Sequence, residues 1–172
     1  MNAYTLSRVL GGALAIVALT TAFTPAASYA AAGDPLGPDF RVDSAAGTGV
    51  MAPSVARDGI GDIVVVWERS GSANPGIYAR LYGADGTPKA AEFKTPLADG
   101  YPVVAMDVAG DFVVTTSSYD TAGKKYRIQA QRYAASGLSR GSVIDVATYL
   151  KLGEFIANIP APVAMDADGN FT

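Results

Sequence analysis

The chain has 172 residues and a net charge of −3, and it contains neither cysteine nor histidine. Without cysteine there are no disulfide bonds, so stability has to come from burial or assembly. Without histidine the commonest general base and metal ligand is missing. The mild acidity argues against nucleic acid or an anionic membrane surface as a partner.

Residues 1–30 have the pattern of a secretory signal peptide with an N-terminal signal helix. Arg8 is the only charged residue in this stretch, residues 9–23 are largely apolar, and small residues follow. These are the three parts of such a peptide. The small-x-small rule favours cleavage after Ala30, and cleavage after Ala32 is the alternative. The apolar run is shorter than the roughly 20 residues of an uncleaved spanning helix.

This pattern predicts a chain that is secreted or displayed at the cell surface, with the periplasm as another location. No membrane association is expected after signal cleavage. Residues 31–39 then form a linker, and residues 40–172 form a β-repeat region.

One block of nine residues recurs three times in that region, with the pattern V-A-x-D-x-x-G-[DN]-[IF]. It reads VARDGIGDI at residues 55–63, VAMDVAGDF at 104–112 and VAMDADGNF at 163–171. The first two copies start 49 residues apart and the next two start 59 apart. Self-similarity at such a period is typical of repeat architectures.

Two further blocks recur between these copies. IYARLY at residues 77–82 matches IQAQRY at 128–133, and each is followed by a turn, ADG or ASG. The third block is a short pair of spaced residues: Phe40 with Val42, Phe93 with Thr95, and Ile144 with Val146. Blocks in the same order at similar spacing divide the region into repeats at about 40–92, 93–143 and 144–172, the last of them truncated.

The segments within each repeat are predicted to be short strands. Residues 63–67 and 112–116 are β-branched or aromatic on both faces, which suits a strand packed between two layers. Residues 77–82 alternate in polarity, as a half-buried strand does, whereas Arg132 interrupts the apolar face of 128–133. Asp-x-x-Gly predicts a tight turn between the first two strands. Only residues 149–157 hint at a helical period after the signal peptide.

Four strands in about fifty residues are typical of a β-propeller blade. The repeat also resembles a tandem family of large secreted and surface proteins of bacteria, whose units read PSVAMDxDGDFVVxW, GIYAQRYxAxG and EFxVN. The resemblance covers about residues 40–172 and departs at Thr115 and Thr116, where the tryptophan is missing, and at the longer connection 147–160. It implies a propeller-like fold and export.

The predicted fold is therefore all-β, with antiparallel four-stranded blade-like repeats that form an incomplete β-propeller of about two and a half blades. Closed propellers have about 4 to 8 blades. We hypothesise that the chain is a fragment of a longer repeat protein, and that open blade edges favour self-association.

The repeated aspartates suggest two interpretations. Residues 166–170 resemble the start of an oxygen-ligand calcium loop. The equivalent residues 58–62 and 107–111 lack the middle acid, and no glutamate completes such a loop, so hairpin turns are the favoured interpretation. No metal or other cofactor is predicted.

A sialidase-like glycan-active enzyme is the alternative function, because such propellers also carry Asp-and-Gly turns outside the cell. It needs two convergent carboxylates and an arginine cluster. The only glutamates are Glu68, Glu92 and Glu154, and the sequence suggests no convergence of the arginines. The arginines considered are Arg80, Arg127, Arg132 and Arg140.

Other chemistry has less support. A Ser-Lys pair would have to use Lys124 or Lys125 in a polar loop, and the glycines near residues 47–49 and 71 belong to no phosphate-binding pattern. The aromatic residues could bind carbohydrate, but packing within the blades is favoured because Tyr82 and Tyr133 recur at equivalent positions. The aromatic set is Trp67, Tyr78, Tyr82, Tyr101, Tyr126 and Tyr133. The predicted function is a non-catalytic binding or scaffold module for a protein or glycan ligand.

Overall fold

A computed structural model describes residues 39–44, 49–71, 74–150 and 160–172, with only the backbone at 149 and 150. Within these ranges the chain is all-β, and no segment forms a helix that could cross a bilayer. The predicted signal helix, most of the linker and residues 151–157 lie outside the described residues. Tyr149 and Leu150 belong to a strand, so the hint of a helix was wrong there.

The strands form two four-stranded antiparallel sheets, each in simple chain order. Sheet I contains β1 (Gly49–Arg57), β2 (Ile63–Ser70), β3 (Gly76–Tyr82) and β4 (Phe93–Lys94). Sheet II contains β5 (Tyr101–Met106), β6 (Phe112–Asp120), β7 (Lys125–Tyr133) and β8 (Ser139–Leu150). The predicted all-β antiparallel class is confirmed. The third sequence block forms the outer strand of each sheet, so each sheet begins one strand later than a repeat counted from Phe40.

The two sheets pair their strands in the same register. The equivalent pairs are Ile63–Tyr82 with Phe112–Tyr133, and Val55–Val65 with Val104–Val114. Because side chains alternate along a strand, residues that share a register position share a face. We call the face of Val64 and Val66 the leading face of sheet I, and the opposite face its trailing face; sheet II is labelled by equivalent positions.

The core lies where the leading face of sheet I packs on the trailing face of sheet II. One continuous apolar cluster contains residues from both. Sheet I contributes Val64, Val66, Ile77, Ala79 and Leu81, and sheet II contributes Val104, Phe112, Val114 and Tyr133. Leu97, in the connection between the sheets, completes the cluster. The strands predicted to be apolar on both faces, β2 and β6, are inner strands of their sheets and contribute to this core.

The other two faces are covered by segments outside the sheets. Phe40 packs on Tyr82 of the trailing face of sheet I, with ring centroids 5.2 Å apart. On the leading face of sheet II, the Thr115 hydroxyl donates a 2.6 Å hydrogen bond to the carbonyl of Ala161. Residues 39–44 thus partly cover the trailing face of sheet I. Residues 160–172 partly cover the leading face of sheet II.

Gly137 lies where β3 and β4 of sheet I contact β7 and the turn after it in sheet II. Phe93 packs on Tyr133 with ring centroids 5.7 Å apart, and Gly137 follows at the next turn. A Cβ atom at Gly137 would lie 3.1 Å from Leu81 Cδ1 and 3.3 Å from Phe93 Cε1. Gly137 also has a φ of +85°, in the left-handed region that favours glycine.

We predict that Gly137→Ala destabilises the protein more than Gly141→Ala. Gly141 has a φ of +74°, but no atom lies within 4 Å of the position that a Cβ atom would take, so its substitution measures backbone strain alone. That strain costs about 1–2 kcal/mol at either site. Crowding against Leu81 and Phe93 adds about 1–3 kcal/mol at Gly137. Urea unfolding of both variants measures the difference, and equal losses of stability would contradict the packing described for this contact.

Candidate binding surface

The three copies of the Asp-x-x-Gly block fold into turns of the same construction. In each, the carboxylate Oδ1 of the first aspartate accepts the backbone N–H of the residue four positions later. The three bonds join Asp62 to Asp58 at 2.9 Å, Asp111 to Asp107 at 3.0 Å, and Asn170 to Asp166 at 2.8 Å. The backbone closes the same turns through N–H to carbonyl bonds of 3.0, 2.9 and 2.9 Å. The hairpin-turn geometry agrees with the favoured interpretation of these aspartates.

The fourth residue of each turn is a glycine for a conformational reason. Gly61, Gly110 and Gly169 have φ values of +99°, +90° and +83°. A residue with a Cβ atom is strained in this region, whereas glycine adopts it at little cost. The glycine therefore lets the chain return in register for the next strand while the aspartate holds the amide groups.

The second acid of the first two turns is also used inside the fold. Asp62 accepts the N–H of Ala84 at 3.2 Å, and Asp111 accepts the N–H of Ala135 at 3.1 Å. Asp62 also pairs with Lys89, and Asp111 pairs with Arg140 at 2.7 Å. No group of three or more acidic side chains suited to a metal ion occurs in the described ranges. In sheets I and II these carboxylates thus join the first turn to the turn that follows β3 or β7.

The three turns lie side by side, and we call residues 58–62, 107–111 and 166–170 the turn row. The N–H of Gly59 donates a 3.2 Å hydrogen bond to the carbonyl of Val108. Asp58 Oδ2 lies 3.1 Å from the position of a Cβ atom on Gly110, and Asp107 Oδ2 lies 3.3 Å from that on Gly169. The first two turns therefore each direct a carboxylate at the turn that follows.

Two aliphatic side chains project from this row into solvent. Ile60 is 78% exposed and Val108 is 60% exposed. Neither side chain is needed for the turn, because the bonds that form it come from aspartate and from the backbone. Neighbouring exposed aliphatic groups on rigidly held turns make the turn row a candidate contact surface.

A buried ion cluster ties residues 39–44 to sheet I. Arg69 on β2 is 6% exposed and bonds both Asp43 and, at 2.6 Å, Glu92. Its guanidinium carbon lies 3.8 Å above the centroid of the Tyr78 ring, close enough for a cation–π interaction. Glu92 also accepts the N–H of Ser44 at 3.0 Å. The cluster closes one edge of the trailing face of sheet I.

The electrostatics of this cluster favour its charged form. Burial opposes the charge of Arg69, but the bonds to Glu92 and then Asp43 outweigh burial and raise the pKa of the guanidinium. Burial also acts on Glu92, yet the Ser44 N–H and Arg69 together hold the pKa of this carboxyl below its ordinary value. This cluster was not predicted from the sequence, because its members lie in three different segments of the chain. The only local signal was Asp43, which directly follows the first F-x-V block.

The aromatic residues considered for carbohydrate binding are largely buried. Trp67 is 1% exposed and stacks on Tyr78 with centroids 6.2 Å apart. Tyr133 stacks on Phe112 at 4.8 Å, and burial raises the pKa of its hydroxyl. Tyr78, Tyr82, Tyr126 and Tyr133 are all buried, and Tyr101 is half-buried. These rings act in packing, as favoured from the sequence.

The arginines named for a sialidase-like site are spread over both sheets. Arg80 donates to the carbonyls of Val42 at 3.2 Å and Ala90 at 3.3 Å. Arg132 and Arg140 occupy paired positions on β7 and β8, which sequence reasoning did not foresee. Arg140 is engaged by Asp111, and Arg127 is exposed on β7.

The remaining residues considered for chemistry are two glutamates and the lysines of a loop. Glu68 is half-buried, and burial followed by repulsion from Asp99 raises its pKa, while Glu154 lies outside the described residues. Lys124 has a φ of +49° in an exposed turn. Asp120 holds that turn because its carboxylate accepts the backbone N–H groups of Ala122 and Gly123. This is the geometry of a solvated hairpin.

Comparison with known proteins adds no relative. No family model matches the chain, and no curated protein matches it either.

We predict that Glu92→Gln destabilises the protein at neutral pH and removes part of its acid sensitivity. Loss of a bond to a charged group costs about 1.5–3 kcal/mol. Because the folded state holds the pKa of Glu92 below its unfolded value, the contribution is present above about pH 4.3 and is lost as pH falls through the lowered pKa. The difference between the wild type and the variant should therefore shrink in acid.

Glu68→Gln is the matched control, because its shift has the opposite sign. The pKa of Glu68 is raised in the folded state, so its contribution is present at low pH and is lost as pH rises through the raised pKa. This variant should gain stability relative to the wild type as pH increases. Urea unfolding between about pH 3 and 7 checks both, and parallel pH profiles for the two variants would contradict the charge assignments.

Proposed function

We propose that this chain is an exported, non-catalytic binding or scaffold module of bacterial origin that acts at the cell surface or outside the cell. Its sheets are blades of a propeller-like tandem repeat. The matching sequence blocks and the shared strand register of sheets I and II support the repeat. Export is supported by the pattern of residues 1–32.

The observation that carries the binding role is the turn row. Its carboxylates hold backbone amides, and its exposed tips, Ile60 and Val108, are aliphatic. Catalysis by general acid and base needs carboxylates that can exchange protons with a substrate. Contact with another macromolecule needs instead a rigid surface with some apolar area. The turn row supports the second use.

A protein partner fits this surface better than a glycan does. Sugar rings are commonly held by stacking on exposed aromatic faces, and the aromatic residues considered for that role are mostly buried in the sheets. Aliphatic tips such as Ile60 and Val108 suit the apolar centre of a protein interface. The proposed ligand is therefore a protein, with a glycan as the alternative outcome of the test.

The export part is tested with a reporter enzyme that is active only outside the cytoplasm. Residues 1–32 fused to this reporter should give activity, and a fusion in which Arg8 and the apolar run 9–23 are deleted should give none. The N-terminus of the exported chain, read by mass spectrometry, should be Ala31, or Gly33 if cleavage follows Ala32. An active reporter without the apolar run would contradict the proposal.

The binding part is tested with the labelled full chain and intact cells of the organism that encodes it. We expect saturable binding that is lost after protease treatment of the cells and kept after periodate oxidation of their glycans. The double variant Ile60→Asn with Val108→Asn should bind about tenfold more weakly or worse, because apolar contacts at the interface centre are lost.

Leu138→Asn is the matched control, since Leu138 is 72% exposed but lies outside the turn row. It should bind as the wild type does. Equal weakening by both variants would contradict the role of the turn row. Hydrolysis of a chromogenic glycoside by the chain would overturn the non-catalytic assignment.

A further inference from the structure

Equivalent valines of the two sheets have opposite environments. Val104 on the trailing face of sheet II is 6% exposed, because sheet I covers it, whereas Val55 on the trailing face of sheet I is 63% exposed. The same contrast holds for their neighbours: Val114 is fully buried, but Val65 is only half-buried. Residues 39–44 contact Tyr82 and Arg80 on β3 and Arg69 on β2, and they leave the part near β1 open.

The contact that buries Val104 shows what kind of segment would cover Val55. There, leading-face residues such as Ala56 and Val64 pack against the trailing face of sheet II. The Ser54 hydroxyl accepts the N–H of Val104 at 3.2 Å. The open face around Val55 has the same register, with Val65 in the place of Val114 and Arg57 in the place of Met106. It therefore fits a segment with a leading face like that of β1.

Residues 160–172 carry part of such a leading face, with Pro162 at the position of Ser54 and Thr172 at that of Val64. Ala164 occupies the position that Ala56 and Ala105 hold in the other two copies of the block, and Ala164 is exposed. The segment is set in the same turn geometry and is closed by two 3.0 Å hydrogen bonds between Ala164 and Thr172. The described part of the molecule thus exposes a trailing face at β1 and a leading face at Ala164, and the two are complementary in type.

We propose that the protein associates head to tail with a second copy of itself, with the leading face at Ala164 of one copy packed on the trailing face at Val55 of the next. This continues the sheet-on-sheet packing within the chain. The packed faces lie on strands next to the turn row, so the association rests on surfaces other than the exposed tips Ile60 and Val108, and it holds with or without the ligand-binding function. A contact between two different faces is heterologous, so it extends a chain of copies or closes a ring.

Charge at the turn row supports this arrangement. Within the chain, Asp58 points at Gly110 of the next turn and Asp107 points at Gly169. Continued stacking places Asp166 of one copy against Gly61 of the next. At that glycine the Arg57 Nη2 atom lies 2.9 Å from the position of a Cβ atom, so the carboxylate meets a guanidinium. Arg57 and Asp166 are both exposed in the single copy.

Sedimentation velocity of the purified full chain over a range of concentrations tests the proposal. Val55→Asp and Ala164→Asp each place a charge on one of the two faces, and both positions are exposed, so the fold should persist. Each variant alone should associate about thirtyfold more weakly or worse, as expected for a charge in the centre of an interface.

Mixing the two variants gives the decisive result. Each variant keeps one intact face, so an equimolar mixture should form a one-to-one dimer that neither variant forms alone. A mixture that stays monomeric while the wild type associates would overturn the head-to-tail arrangement. A wild type that is monomeric at all concentrations would overturn the association itself.

One further variant tests the contact without a new aspartate, and another controls for the effect of an aspartate as such. Arg57→Glu should weaken association about tenfold or more, because two like charges then face each other. Leu138→Asp is the control, since Leu138 is exposed but lies on neither face. If Leu138→Asp weakened association as much as Val55→Asp, the contact would be unspecific and the proposal would be wrong.

Discussion

The whole structure depends on central strands that are apolar on both faces. In β2, Val64 and Val66 face sheet II and are fully buried, while Trp67 faces the other way and is 1% exposed. A strand of this kind has to be covered twice, because burial of apolar surface is the main favourable term in folding. One sheet can supply only one cover, so each sheet needs a neighbour on both sides. Sheet II and residues 39–44 fill those places for sheet I.

The turns make this stacking regular. An aspartate that accepts amide hydrogens and a glycine in the left-handed region fix where the second strand begins relative to the first. With the register fixed, the same side chains face the same way in both sheets, since a slip of one residue would invert every face. The turn chemistry thus helps to keep equivalent side chains on the same face of both sheets.

Much of this organisation could be predicted from the sequence, because it is encoded locally. β-branched runs bounded by Asp and Gly predicted the strands, and matching blocks predicted matching sheets. The Arg69 cluster could not be predicted, because Asp43 and Glu92 are 26 and 23 residues from Arg69 along the chain. The packing at the position of the missing tryptophan could not be predicted either. Thr116 takes the place of Trp67 and is fully buried opposite Gln129, whose amide bonds Asp145 at 2.9 Å.

Exposure is the property that a repeated sequence predicts least well. Val55 and Val104 are both followed by alanine and occupy the same register position, yet one is open and the other is closed. The difference comes from what lies across the face, which no local pattern records. Residues 39–44 illustrate the same point, since Phe40 packs on Tyr82 much as Phe93 packs on Tyr133, without forming a paired strand. In this molecule the burial of a side chain depends on which sheet or segment packs on its face. Equivalent residues of the two sheets can therefore differ in exposure.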